Sequence, residues 1–247
     1  AQSGFSIIGG QKIDRYSIYV DRKRSLAKEW DLGYGMSYRF AKDRDFQTYD
    51  KVTGDIPTEN TDSRLREQTA NVYVSLSKNY ATGTSVSISA TGEYYTIGNY
   101  RKWAVYPQAS LTYVKSSEHL FQFSLSTDKT YPGYWDMQSS VSHLNGYTEL
   151  WGTPGLKPST AYNLNGNYIW KQKYIFGLFF MHTSDFFVQT GYQSTDRLAL
   201  IYKNTNWNYM QMWGTNVILP FKAGNWLDSR LTLVGMQVHQ RCDDFFD

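Results

Sequence analysis

The strongest constraint on the fold is the strict alternation of apolar and polar side chains from Trp30 to Phe40. Even-numbered positions carry Trp, Leu, Tyr, Met, Tyr and Phe, whereas the odd-numbered positions carry Asp, Gly, Gly, Ser and Arg. Successive side chains of a strand point to opposite faces, so a strand has this two-residue period and a helix does not. The segment therefore predicts a long β-strand with one apolar and one polar face.

The same alternation recurs along the chain and predicts about ten strands in all. The chain is 17% aromatic, and aromatic side chains favour strands. Most segments approach the ~9–11 residues that a tilted membrane-spanning strand needs. The sequence thus predicts an all-β fold, an antiparallel up-and-down meander that forms a transmembrane β-barrel or part of one. Besides 30–40, the predicted segments are 16–20, 70–76, 86–90, 103–113, 121–125, 162–170, 174–183, 213–219 and 231–233.

The predicted connections between these strands alternate in length. The longer ones are 42–67, 96–102, 127–159, 184–206 and the tail after 237; the tighter ones are 79–84, 115–118, 171–173 and 220–225, with a somewhat longer charged turn at 21–29. Short turns at one end and long loops at the other are typical of outer-membrane barrels, whose long loops face outward. Counting strands places 42–67, 96–102 and 127–159 at one end.

A soluble β-sandwich would show the same alternation, so other features must separate the two classes. The predicted strands are long by soluble standards. Aromatic residues lie at segment ends, as the interfacial girdles of membrane barrels require. The polar faces carry Ser, Thr, Asn and Gln and few charges, which suits a water-filled lumen. These features favour a barrel in the outer membrane, with lipid as its partner.

The long connection 127–159 contains the candidate ligand-binding residues. Three of the six prolines lie in it, Pro132, Pro154 and Pro158, where a strand or helix interior would not tolerate them. Its low charge and many aromatic residues predict a structured loop and not a disordered one. Trp135, Tyr147 and Trp151 are candidate ligand contacts, because exposed aromatic side chains on a rigid scaffold are typical binding groups. The alternative is that these rings pack together to hold the loop.

The remaining composition argues against catalysis, metals and nucleic acid. The four histidines show no ligand spacing, no glycine-rich phosphate loop follows a strand, and no nucleophile elbow is present. Cys242 is the single cysteine. A net charge of +3 with interleaved acidic and basic residues gives no stripe for nucleic acid. The sequence predicts a protein that is not an enzyme, with no cofactor.

Two motifs in the long connection resemble the TonB-dependent-receptor-like outer-membrane β-barrels of Bacteroidota. Residues 131–137 read YPGYWDM and residues 152–158 read GTPGLKP. The family tends to show Pro-x-Tyr-x-Asp-Leu followed by Gly-Asn-Pro-x-Leu-Lys-Pro-Glu. Here Thr153 replaces the Asn and Ser159 the Glu, while Leu-Lys-Pro is intact. The segment 162–164, the turn 171–173 and the segment 174–178 fit the same pattern, and the resemblance covers about 66–233.

The resemblance implies a function in transport. Residues 1–247 would form a single β-barrel segment, without a plug domain or signal peptide, of a receptor that takes up a small ligand through long extracellular loops. The ligand would be a nutrient, chelate, glycan or peptide. A TonB-type energising partner is implied only through the missing plug. The alternative is a non-transport surface-binding module, an adhesin or a carbohydrate-binding all-β domain.

Overall fold

The computed structural model describes residues 4–54 and 58–243, and fourteen strands lie in these residues. Ten of them form one sheet in which every pair of neighbours is antiparallel. Its strands in spatial order are β1 (Gly4–Ser25), β2 (Trp30–Thr53), β3 (Thr61–Asn79), β4 (Ser85–Ile97), β5 (Tyr100–Ser116), β6 (His119–Thr130), β9 (Ser159–Trp170), β10 (Tyr174–Ser184), β13 (Tyr209–Ala223) and β14 (Leu227–Arg241). The predicted all-β antiparallel meander of ten strands is confirmed. Within the described residues, no helix is long and apolar enough to cross a bilayer.

The outward face of the sheet changes from apolar to charged along the strands. Met36 on β2 lies opposite Val20 and Val72, and all three side chains are more than half exposed. Three rows further up, Lys42 lies opposite Arg66. Exposed apolar rows of this kind suit lipid, whereas a charged row suits water. The row at Lys42 therefore lies beyond the upper edge of the lipid-facing band.

The prediction that 42–67 is a loop is wrong. β2 continues to Thr53 and β3 begins at Thr61, so the two strands project as a paired hairpin well beyond the lipid-facing band. Hydrogen bonds between β2 and β3 satisfy the backbone N–H and C=O groups of this hairpin whether or not its side chains are apolar. Since the next two outward residues, Lys42 and Arg44, are charged, the apolar signal stops at Phe40 while the strand continues.

Other predicted connections are also shorter in the structure. Residues 96–102 contain only a two-residue turn between β4 and β5, at Gly98 and Asn99, with Gly98 at a φ of 55°. The charged segment 21–29 belongs to β1 as far as Ser25, and the predicted tail after 237 belongs to β14 as far as Arg241. The last residues, 244–247, lie outside the described residues.

The remaining four strands form a second sheet in the order β11-β12-β8-β7. β7 (Val141–Asn145) and β8 (Thr148–Trp151) come from the connection after β6, and β11 (Phe187–Gln193) and β12 (Leu200–Asn206) from the connection after β10. β8 and β12 pair in parallel and join the two connections. We call residues 131–158 and 185–208 together the cap. A buried apolar core of Tyr95, Ile97, Met137 and Leu156 lies between the cap and β4.

Candidate ligand-binding site

A buried group of charged and phenolic side chains attaches the cap to the large sheet. We call it the anchor cluster; its members are Arg39, Glu67, Glu93, Tyr95, Tyr106, Lys129, Tyr131 and Tyr134. Lys129 forms an ion pair with Glu93, and both side chains are less than a tenth exposed. Tyr131 donates a hydrogen bond from Oη to Glu93 Oε2 over 2.7 Å. These contacts join the end of β6 and the start of the cap to β4.

Aromatic rings surround the ammonium group of Lys129. Its Nζ lies 4.5 Å from the ring centroid of Tyr95, 4.8 Å from that of Tyr131 and 5.5 Å from that of Tyr106. Such contacts stabilise a cation that has left water. Burial lowers the pKa of Lys129, and Glu93 opposes that shift. The cluster therefore holds a compensated charge, which suits a structural anchor.

The second carboxylate of the anchor cluster, Glu67, contacts both the cap and the sheet. Tyr134 donates a hydrogen bond to it, and Arg39 NH2 lies 3.8 Å from its Oε1. Burial, followed by the hydrogen bond to Glu67, raises the pKa of Tyr134 to about 12. Tyr134 is thus a neutral donor at physiological pH, and this contact ties the first turn of the cap to β3.

A third buried carboxylate, Glu149, organises the cap itself. It accepts hydrogen bonds from Trp151 Nε1 over 2.8 Å and from Arg197 NH2 over 2.7 Å. His143 lies close by, with 3.5 Å between its Nε2 and Glu149 Oε1. The network fixes the indole of Trp151 and links β7, β8 and the connection between β11 and β12.

The chain turns out of β8 at Gly152 against the backbone of the preceding segment. A Cβ at this position would lie 1.9 Å from the carbonyl oxygen of Gln138. The amide of Gly152 also donates a hydrogen bond to the carbonyl of Ser140 over 2.9 Å. Only glycine permits this close approach, which explains the Gly at the start of the 152–158 motif.

A cavity of about 890 Å³ lies between residues 151–157 and the β11–β12 hairpin. Asn206 frames it, with two hydrogen bonds to the backbone of Lys157 of 2.7 and 2.9 Å. Lys203 Nζ lies 5.2 Å from the ring centroid of Tyr192. The lining combines aromatic rings, hydroxyl groups and cationic side chains, including Trp151, Thr153, Lys157, Tyr192, Lys203 and Cys242. Its volume and mixed lining are those of a small-molecule site.

The three aromatic residues predicted from the sequence do not meet in one site. Trp151 lines the large cavity. Trp135 lines a separate cavity of about 400 Å³, together with Arg15 and Tyr134. Tyr147 is 66% exposed in the turn between β7 and β8. Sequence analysis missed Tyr192 and Lys203, which line the large cavity. They lie on β11 and β12, which form within the predicted connection 184–206.

The structure also contains an acidic pair on β2, which Gln11 connects to the lining of the smaller cavity. Asp43 and Asp45 point to the inward face and are 3% and 0% exposed. Burial, followed by the neighbouring carboxylate of Asp45, raises the pKa of Asp43. In residues 4–54 and 58–243, no three His, Cys, Asp or Glu side chains gather into a metal cluster.

Comparison with solved structures shows the same fold in outer-membrane receptors. The siderophore receptor PirA from Pseudomonas aeruginosa matches with a TM-score of 0.61 and 10% identity, over 93% of this chain and 44% of the receptor. The copper transporter OprC gives 0.61 and 10%, over 94% and 39%. The FrpB iron transporter from Neisseria meningitidis (F3-3 variant) gives 0.57 and 11%, over 95% and 37%.

The chain therefore spans less than half the length of these neighbours. No curated protein sequence matches it. The sequence model of the outer membrane protein beta-barrel family matches residues 6–246, nearly the whole chain. The chain belongs to this outer membrane protein beta-barrel family, and it is accordingly an outer-membrane protein and not an enzyme.

Proposed function

We propose that the chain is a segment of a TonB-dependent receptor-like transporter of the Bacteroidota type, which binds a small ligand beneath its cap for uptake. The observation that carries the proposal is the 890 Å³ cavity between the two connections that form the cap. It lies at the end of the sheet opposite to the tight turns. On an outer-membrane barrel that end faces outward, where a ligand arrives.

Residues 1–247 form one barrel segment in this proposal. The similar receptors are more than twice as long as the chain. In the described residues the two border strands, β1 and β14, pair only with β2 and β13. Further strands of a complete barrel would cover these two edges, since an open edge in lipid leaves backbone groups unsatisfied. A TonB-type partner, acting through a plug domain, would supply the energy for uptake.

The three predicted aromatic residues take different roles in ligand capture. Trp151 would stack on the ligand inside the cavity, because its indole is held by Glu149. Tyr147 and Trp135 would contact a ligand only on its way in, since they lie outside this cavity. The ligand is a nutrient, chelate, glycan or peptide small enough for the cavity.

The native thiol of Cys242 provides the test, because it lines the cavity. Purified protein in detergent is treated with a maleimide in the presence of a ferric catecholate chelate, a neutral oligosaccharide or a short peptide. We expect one of these probes to slow the modification of Cys242. Trp151→Ala should weaken that protection, whereas Tyr147→Ala should leave it unchanged.

Uptake by cells then separates transport from simple binding. A probe that protects Cys242 should accumulate in cells carrying the complete receptor, and Trp151→Ala should reduce the accumulation. Protection without accumulation would favour the surface-binding module instead. If no probe slows the modification, the cavity is not the ligand site and the proposal fails.

A further inference from the structure

Asp43 and Asp45 form a buried acidic pair for which the described residues supply little compensation. In the described part of the chain, no Lys, Arg or His side chain lies within ion-pair distance of either carboxylate. Gln11 donates one hydrogen bond to Asp43 Oδ1 over 3.0 Å. Asp43 Oδ2 and both oxygens of Asp45 are buried without a hydrogen-bond partner there.

This arrangement is costly for side chains that carry charge. Burying a carboxylate without a partner is strongly unfavourable, and two of them repel each other. The residues are two apart on β2 and share its inward face, so their carboxyl groups lie side by side. A positive species between them would remove both the desolvation cost and the repulsion.

The surroundings of the pair offer further oxygen atoms. Ser63 on β3 lies directly opposite Asp45. Thr61 is the next inward residue of β3, and its Oγ1 is likewise buried without a partner among the described residues. The next inward residue of β2, Gln47, accepts a hydrogen bond from Ser142 of the cap over 2.9 Å. The pair thus lies on an oxygen-rich inner face next to the contact of the cap with β2.

We propose that Asp43 and Asp45 bind one calcium ion. The ion stabilises the part of β1, β2 and β3 that projects beyond the lipid-facing band, beneath the cap. The donors are all oxygen atoms, which calcium prefers, and neither His nor Cys is among them. Calcium takes six to eight oxygen ligands in flexible geometry, whereas magnesium requires a near-ideal octahedron. Carboxylates on one strand and hydroxyls on the next suit the more flexible ion.

Calorimetric titration of the full chain in detergent, stripped of metal with a chelator, tests the proposal. We expect saturable binding of one calcium ion per chain, and a rise in the thermal midpoint on binding. Asp45→Asn should weaken binding by more than about tenfold, because calcium affinity follows the charge count of the ligands. Asp14→Asn is the matched control: this side chain is exposed and should leave calcium binding unchanged.

Four outcomes would overturn the calcium site. One is the lack of saturable binding up to about 10⁻³ M calcium, the weak limit of extracellular sites. Another is equal binding of magnesium. The third is a double variant, Asp43→Asn with Asp45→Asn, that binds calcium as the parent does. The fourth is a melting point of this double variant above that of the parent with calcium present, because it would mean that calcium does not relieve the repulsion. None of these measurements depends on the ligand cavity, so the transport proposal stands or falls separately.

Discussion

At the scale of single residues, the attachment of the cap depends most directly on Lys129. Its ammonium group pairs with Glu93 while three tyrosine rings enclose it. Buried pairs of this kind contribute little relative to an apolar substitute for both partners, but removing one partner leaves an uncompensated charge. The position is therefore far more sensitive to a single substitution than an ion pair on the surface.

Lys129→Met should destabilise the protein by about 3–5 kcal/mol, because Glu93 would remain buried without its cation. Equilibrium unfolding in guanidinium after reconstitution into lipid vesicles measures the loss. Lys222→Met is the control: Lys222 and Asp228 form an ion pair of 3.2 Å in which both side chains are largely exposed. It should leave the unfolding midpoint almost unchanged. Equal effects of the two variants would show that Lys129 does not act as an anchor.

Gly152→Ala should disrupt the cap, because the new Cβ would meet the carbonyl oxygen of Gln138 at 1.9 Å. Overpacking of this kind costs about 1–3 kcal/mol or more. Limited proteolysis should cut residues 131–158 faster in this variant. Gly146→Ala is a matched control in the same segment, since a Cβ at this position would meet no atom within 4 Å apart from its chain neighbours. Proteolytic cleavage of this variant should match that of the parent. Resistance of Gly152→Ala to cleavage would mean that the backbone can move aside.

At the scale of elements, the sequence predicts strands well where lipid faces them and poorly elsewhere. In 30–40 the apolar outward residues mark the strand. Beyond Phe40 the outward residues Lys42 and Arg44 mimic a loop, although pairing with β3 continues. The four cap strands read VSHLN, TELW, FVQTGYQ and LIYKNTN, and none of them alternates apolar and polar residues regularly, so no two-residue period marks them. Their partners come from two distant connections, and no local pattern reveals such pairing. Trp151 could be predicted as a contact because it lies in the aromatic connection 127–159. Tyr192 could not, because only the pairing of β12 with β8 brings its hairpin to the cavity.

The parallel pairing of β8 with β12 predicts that the two connections open as one unit. In hydrogen exchange followed by mass spectrometry, we expect peptides from 141–151 and 200–206 to exchange at similar rates. Both should exchange faster than peptides from β9, because the cap sheet is small and its strands are short. Exchange of 141–151 while 200–206 stays protected would contradict a shared sheet.

At the scale of the whole molecule, the structure has two distinct ends. The turns that join β3 to β4, β5 to β6 and β9 to β10 lie at one end, and the cap with the β2–β3 projection lies at the other. The anchor cluster, the acidic pair and the large cavity all belong to the cap end. Polar groups that would be costly within lipid are thus concentrated above the apolar band.

The difference between the two ends predicts which of them faces the outside of the cell. Ser139 in the cap and Ala81 in the β3–β4 turn are both exposed, so they can report on opposite ends. Single cysteines are introduced as Ser139→Cys or Ala81→Cys, in a Cys242→Ser background that removes the native thiol. A membrane-impermeant maleimide should label position 139 on intact cells and position 81 only after lysis. Labelling of position 81 but not 139 on intact cells would invert the topology. The cavity beneath the cap would then face the periplasm, where it could not capture a ligand from outside.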